Sequence, residues 1–254
     1  MIIQRHVSSG RVAAGGPPIL EAKGVTKRFG GFVALDGVDF SIVPGERVAL
    51  IGPNGSGKST FVNCLSGALT PEAGSVHFEG RVVTGMPPWQ RARAGLVRSF
   101  QIPRPFRRLS VIENIEVPLN FALAEPPPGG KAQRALDILE SIGLGAKAYG
   151  SPKDLSQVEL RKLELGRALA ANPRLLIADE AMAGLSDSEV DEIVDLLERL
   201  NEQGIAIILI EHIMRAVMRF SQRIVVLVAG RKIADGLPGE VMRQDEVERA
   251  YLGQ

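Results

Sequence analysis

From residue 156 to residue 228 the chain alternates amphipathic helical patterns with wholly apolar strands, and this alternation limits the fold more than any other feature. The order is helix (VELRKLELGRALAA), strand (RLLIAD), helix (SEVDEIVDLLERLNEQ), strand (IAIILI), helix (EHIMRAVMRF) and strand (RIVVLV). Strands that are apolar on both faces need cover on both, and amphipathic helices between them supply it. The pattern therefore predicts a parallel sheet sandwiched by helices. There is no internal repeat.

The preceding sequence has a different texture. Residues 19 to about 80 hold short β-rich runs broken by turns: ILEAKGVTKRF, FVALDGVDFSIV, a Pro44-Gly45-Glu46 turn and the apolar strand RVALI. A helix is predicted over residues 60–69, and strands over 75–83 flanking Glu79-Gly80. Between about residues 100 and 155 the character turns helical, VIENIEVPLNFALA and KAQRALDILESIGL being separated by a short Pro/Gly connector. This reads as an inserted helical subdomain. Residues 1–18 lack acidic groups and lack the continuous apolar stretch of a secretory signal, so they read as a frayed tail, with a transit peptide as the alternative.

Composition excludes several classes. With 30 basic and 29 acidic side chains the net charge is +1, which gives no global field to gather nucleic acid or an anionic membrane. The single cysteine, Cys64, rules out an internal disulfide and suits a reducing compartment. No apolar run approaches the roughly 18 residues that cross a bilayer, so the chain is not expected to span a membrane by itself.

The apolar strand RVALI runs into Gly52, Pro53, Asn54, Gly55, Ser56, Gly57, Lys58 and Ser59, which match G-x-x-x-x-G-K-[ST] between a strand and a helix. Glycines at 52, 55 and 57 let the backbone curl so that its N–H groups face phosphates, and the helix beginning near Lys58 offers its positive end. Lys58 is expected to reach the β- and γ-phosphates, with Thr60 following in the same turn, and Ser59 to ligate Mg²⁺. Such a loop is shared by kinases, GTPases, helicases and transporters. The strand LLIAD narrows the choice: it delivers Asp179 and Glu180 to the sheet edge where open α/β folds place ligands. Asp179 is the natural partner of Mg²⁺, directly or through water, and Glu180 can orient and deprotonate an attacking water, worth about 10²–10⁴-fold in rate.

With these motifs in order, the chain after residue 18 resembles the nucleotide-binding subunits of ABC transporters. The resemblance implies that Phe29 in VTKRFGG stacks on adenine and that Gln101 in VRSFQIPRPF senses the γ-phosphate and Mg²⁺. His212 in IILIEHIMRAV would contact the γ-phosphate and hold Glu180 and water. Leu155-Ser156-Gln157-Val158-Glu159 takes the place of the family signature LSGGQ, whose loop closes over ATP held by a second subunit. Both glycines are missing here. A β-branched valine is expected to resist close approach of backbone to phosphate. Ser156 and Glu159 also form an S-x-x-E capping box, so helix capping and phosphate contact stand as two readings of Ser156. Ala181 replaces the usual proline, and Ala183-Gly184-Leu185-Ser186 fills the position of the loop that follows.

The phrases VRSFQIPRPFRRLSVIENI, IEHIMRAVMRFSQRIVVLVAGRKIADG and VERAYLG are similar to subunits of bacterial branched-chain amino-acid importers. The expectation is then an α/β fold: a P-loop NTPase core with a largely parallel sheet, an N-terminal antiparallel β region and the inserted α-helical subdomain. The cofactors implied are ATP and Mg²⁺. The implied partners are a second ABC ATPase subunit (a homo- or heterodimer), membrane permease subunits and, indirectly, an extracytoplasmic solute-binding protein, with no nucleic acid. The implied location is the cytoplasmic side of the inner membrane. A weakly hydrolysing subunit of a heterodimer and a soluble non-transport ABC ATPase are the alternatives.

Overall fold

The computed structural model describes residues 16–99, 103–122 and 129–252. Strands β1 (Leu20–Phe29) and β2 (Phe32–Ile42) form an antiparallel hairpin around Gly30-Gly31, and β3 (Arg47–Ile51) leads through the glycine loop into α1 (Lys58–Ser66). Strands β4 (Ala73–Phe78) and β5 (Arg81–Val82) precede α2 (Pro88–Arg93) and β6 (Leu96–Arg98). Helices α3 (Val111–Ala122), α4 (Gly130–Ser141) and α5 (Gln157–Leu169) follow. The alternating part then runs β7 (Leu175–Asp179), α6 (Asp187–Glu202), β8 (Ala206–Ile210), α7 (Met214–Phe220) and β9 (Arg223–Val228). The described chain finishes with β10 (Arg231–Gly236), α8 (Pro238–Val241) and α9 (Asp245–Leu252).

Two sheets result among the described residues. An antiparallel one has the order β2-β1-β4-β5, and the larger has the order β10-β9-β3-β8-β7-β6. In the larger sheet β9, β3, β8, β7 and β6 are mutually parallel and only the edge strand β10 is antiparallel. Every residue of β7 and β8 is buried, as strands covered on both faces must be. One apolar core fills the space between the two sheets around Phe40, Phe61 and Leu65. A second runs continuously from α3 and α4 through α5 to α6, joining Ile115, Leu139 and Leu197. The packing there leaves no slack, since a Cβ at Gly166 of α5 would lie 2.6 Å from Ile142 Cδ1.

The elements differ from the sequence reading in three places. Helix α1 stops at Ser66, short of residue 69, because Gly67 turns left-handed at φ 82°. The buried Arg91 guanidinium donates to Cys64 O and Leu65 O at that helix end, and to Thr84 O and Met86 O. Helix α7 begins at Met214 rather than at Glu211, so residues 211–213 stay outside it. Strands β6 and β10 and helices α2, α8 and α9 are elements the sequence pattern did not announce.

Register sets the site. Leu50 pairs with Ile210, and Ile210 pairs with Asp179, so β3, β8 and β7 end level with one another. Gly52, Glu180 and His212 therefore leave the same edge of one sheet.

Candidate nucleotide-binding site

The loop after β3 is shaped by glycines that no other residue fits. Gly52 has φ 151°, and a Cβ there would sit 2.1 Å from Leu227 O. Gly57 has φ 102°, and its Cβ would meet Ala34 O at 2.6 Å. The loop is further tied to the neighbouring turn, Gly230 N–H donating to Ser56 O at 2.9 Å. Asn54, Gly55 and Ser59 remain exposed.

Helix α1 then starts with its first-turn N–H groups lacking intrahelical acceptors, as every helix does. Among the described residues no side chain caps it, and its first turn carries no acidic residue. An uncapped positive helix end is a seat for an anion. Lys58 Nζ donates to Gly52 O at 2.7 Å and to Pro53 O at 3.1 Å, and burial holds its ammonium below the ordinary lysine range while the Glu180 and Asp179 charges oppose that shift. Ser56 Oγ is buried with no hydrogen-bond partner. These are polar groups arranged around a space suited to phosphate oxygens.

That space is a cavity of about 290 Å³. Phe29, Phe32, Asn54, Gly55, Lys58 and Glu180 line it, together with Ala34, Ser56, Gly57, Ser59 and Thr60. Phe29 and Phe32 face each other across the β1–β2 turn, and both are substantially exposed. The sequence reading singled out Phe29 and missed Phe32; the two phenylalanines flanking Gly30-Gly31 were the available signal. Lys27 Nζ lies 5.5 Å from the Phe29 ring centre.

Glu180, also in the cavity lining, adopts φ 45°, a left-handed conformation uncommon for a side-chain-bearing residue. Its N–H donates to Ile210 O at 2.9 Å. Asp179 is buried, and its Oδ2 accepts from Arg98 Nη2 at 2.6 Å. The Asp179 carboxylate and the exposed Ser59 hydroxyl are hard oxygen donors of the kind Mg²⁺ takes.

His212 stands one strand away, largely exposed, with Nδ1 4.0 Å from Glu211 Oε2, and it does not line the cavity. Glu211 is buried and accepts from Met182 N at 2.8 Å and from its neighbour His212 N at 3.3 Å. Burial pushes the Glu211 carboxyl above the ordinary carboxylate range. Arg161 of α5 donates to Ala183 O at 3.0 Å, linking that helix to the turn after Glu180. Arg98, Glu211 and Arg161 carried no motif and were missed. Gln101 lies outside the described residues.

Ser156 is the N-cap of α5. Its Oγ accepts from Glu159 N at 3.3 Å, and Glu159 Oε2 accepts from Ser156 N at 2.8 Å, so the capping box is formed. Val158 sits in the first turn of α5 with its side chain buried in the core, while Ser156 and Gln157 face outward. Being helical, Val158 also needs no positive φ.

A family model described as ABC transporter matches residues 35–183. The chain is 39% identical over 251 residues to the high-affinity branched-chain amino acid transport ATP-binding protein LivG of Escherichia coli, covering 93% of this chain and 98% of that one. It is 37% identical, with the same coverage, to the corresponding protein BraF of Pseudomonas aeruginosa. Among solved structures it is similar to the ADP conformation of an ATP-binding cassette of an ABC transporter, with a TM-score of 0.85 and 32% identity over 94% of this chain and 100% of that one. A dimeric post-hydrolysis cassette bound to ADP and Pi gives a TM-score of 0.76 and 28% identity, over 86% and 98%.

Proposed function

The chain belongs to the ABC transporter family and shares its ATP-hydrolysing activity, and from that premise we propose that it powers import of branched-chain amino acids or related small polar solutes through partner permeases. The observation that carries the site assignment is the single cavity in which Phe29, the glycine loop, Lys58 and Glu180 meet.

In this reading adenine stacks on Phe29, with Phe32 beside it, and the phosphates settle on the N–H groups of residues 55–60. Lys58 exchanges its bonds to Gly52 O and Pro53 O for phosphate oxygens, a charged ligand replacing neutral ones. Ser59, Asp179 and Gln101 are the residues that would hold Mg²⁺, which would supply positive charge against the phosphates. Glu180 orients the attacking water and takes its proton, and His212 closes on the γ-phosphate side. Ser156 serves the nucleotide of a second ABC ATPase subunit, its outward face leaving it available across a dimer interface.

A groove of about 460 Å³ between α2, α3 and α5 suits a permease segment. Trp89, Val117, Pro118 and Phe121 make it apolar, and Arg93 and Arg167 rim it. Helix α3 forms one of its walls, and the helical region of about residues 100–155 to which it belongs acts as the subdomain that passes motion on. No helix among the described residues is long and apolar enough to cross a membrane. In this reading the permeases provide the attachment, at the cytoplasmic side of the inner membrane. An extracytoplasmic solute-binding protein delivers cargo to them.

The test is reconstitution with the native permeases and binding protein in liposomes. Leucine, isoleucine or valine is expected to raise ATP hydrolysis and to accumulate inside; stimulation only by a chemically unrelated solute would refute the cargo assignment.

A further inference from the structure

Asp179 is held by a cation before any metal arrives. Arg98 ends β6, where it pairs with Ile177 of β7, so the sheet register carries its guanidinium to the carboxylate two residues further along. Nη2 donates to Asp179 Oδ2 at 2.6 Å, and Nη1 donates to Asn63 Oδ1 of α1 at 2.6 Å, with Ser66 Oγ at 3.5 Å. Nε is buried and has no partner. The Arg98 side chain is 21% exposed and that of Asp179 only 8%. One guanidinium thus spans the strand end that bears the acids and the helix that follows the phosphate loop.

A charge-assisted bond in so enclosed a place fixes the carboxylate's direction more firmly than a surface pair does. The bond also has a cost for a metal. A divalent cation seeks the same carboxylate, and a neighbouring guanidinium repels it. Lys58, whose ammonium feels the Asp179 charge, adds a second positive group to the same region.

We infer that Arg98 is a positioning residue acting as the resident counter-cation of Asp179: it aims the carboxylate while no metal is bound and competes with the divalent cation for it. This rests on the assignment of Asp179 to the metal made above. The consequence is a site that takes its divalent cation together with nucleotide, whose phosphates supply the extra negative charge, and resists the bare ion.

The test is Mn²⁺ binding to the full chain in saturating ADP, followed by electron paramagnetic resonance, for the wild type, Arg98→Lys, Arg98→Gln and Arg98→Met. ADP binding in EDTA checks that each variant keeps its loop. Arg98→Gln and Arg98→Met are expected to bind Mn²⁺ about three- to tenfold more tightly than the wild type, tenfold corresponding to about 1.4 kcal/mol. Arg98→Lys keeps the charge but not the fork, and should bind Mn²⁺ less tightly than Arg98→Gln. Unchanged or weaker Mn²⁺ binding by Arg98→Gln, or a lysine variant that behaves like it, overturns the inference. If Arg98→Met fails to fold, Arg98→Gln, which keeps a polar side chain, decides. A wild type that binds ADP but no Mn²⁺ overturns the metal assignment as well, whereas a wild type that binds it with variants no tighter overturns only the role of Arg98.

Discussion

The Glu211 carboxylate reaches from the end of β8 and accepts the Met182 N–H at 2.8 Å, tying the strand that bears His212 to the turn that follows Glu180. Neither partner belongs to a recognised motif. Together they set where Glu180 and His212 stand relative to each other, because each lies within two residues of this bond.

Removing that acceptor should be costly. Glu211→Ala leaves the buried Met182 N–H without a partner, and the expected loss is about 1–3 kcal/mol in urea denaturation, while Glu211→Gln retains an acceptor and loses less. The pH dependence has a definite sign. The folded-state pKa is raised, chiefly by burial, so this group's contribution to stability is full below the ordinary carboxylate pKa and is lost as pH rises through the raised value. Between those two pH values Glu211→Gln should flatten the decline seen in the wild type. An identical decline in both proteins would contradict it.

Gly52→Ala should damage the fold as well as binding. The added Cβ would meet Leu227 O at 2.1 Å, and φ 151° is unfavourable for alanine by itself. The expected destabilisation is at least about 1–3 kcal/mol, with ADP affinity reduced in parallel. Calorimetric binding combined with thermal denaturation reads both.

Ser156 has two roles that substitution separates. Ser156→Ala removes the cap and should cost about 1 kcal/mol of stability. Ser156→Asp keeps a capping oxygen and should hold stability near that of the wild type, yet bring a negative charge to the face proposed to meet a second subunit's phosphates. Reduced ATPase activity of the assembled transporter in the aspartate variant, with an unchanged melting temperature, is the expected result; equal activity would leave capping as the residue's only role.

What was legible in the sequence had a strong local cause. Strands β7, β8 and β9 are continuous apolar runs, and the Gly52-to-Ser59 loop needs its glycines because Gly52 and Gly57 press against neighbouring carbonyls. The hidden parts depend on contacts distant in sequence. β6 has three residues, too few for a period, and exists because β7 offers it a partner. Arg98 and Glu211 looked like ordinary charged residues until sheet register set them against Asp179 and Met182. The inward turn of Val158 was hidden in the same way, because it follows from the capping box that starts α5 at Gln157. The start of α7 was placed early because EHIM continues the helical pattern, while Glu211 is committed to Met182.

The central claim is that the cavity binds ATP and that Glu180 activates water within it. Single-turnover hydrolysis by Glu180→Gln, with bound nucleotide quantified in the same sample, tests it most directly. ATP should remain bound with the cleavage rate lowered at least about tenfold, toward the 10²–10⁴-fold range of a lost general base. Cleavage at the wild-type rate, or failure of the wild type to retain ATP in the presence of Mg²⁺, would contradict it.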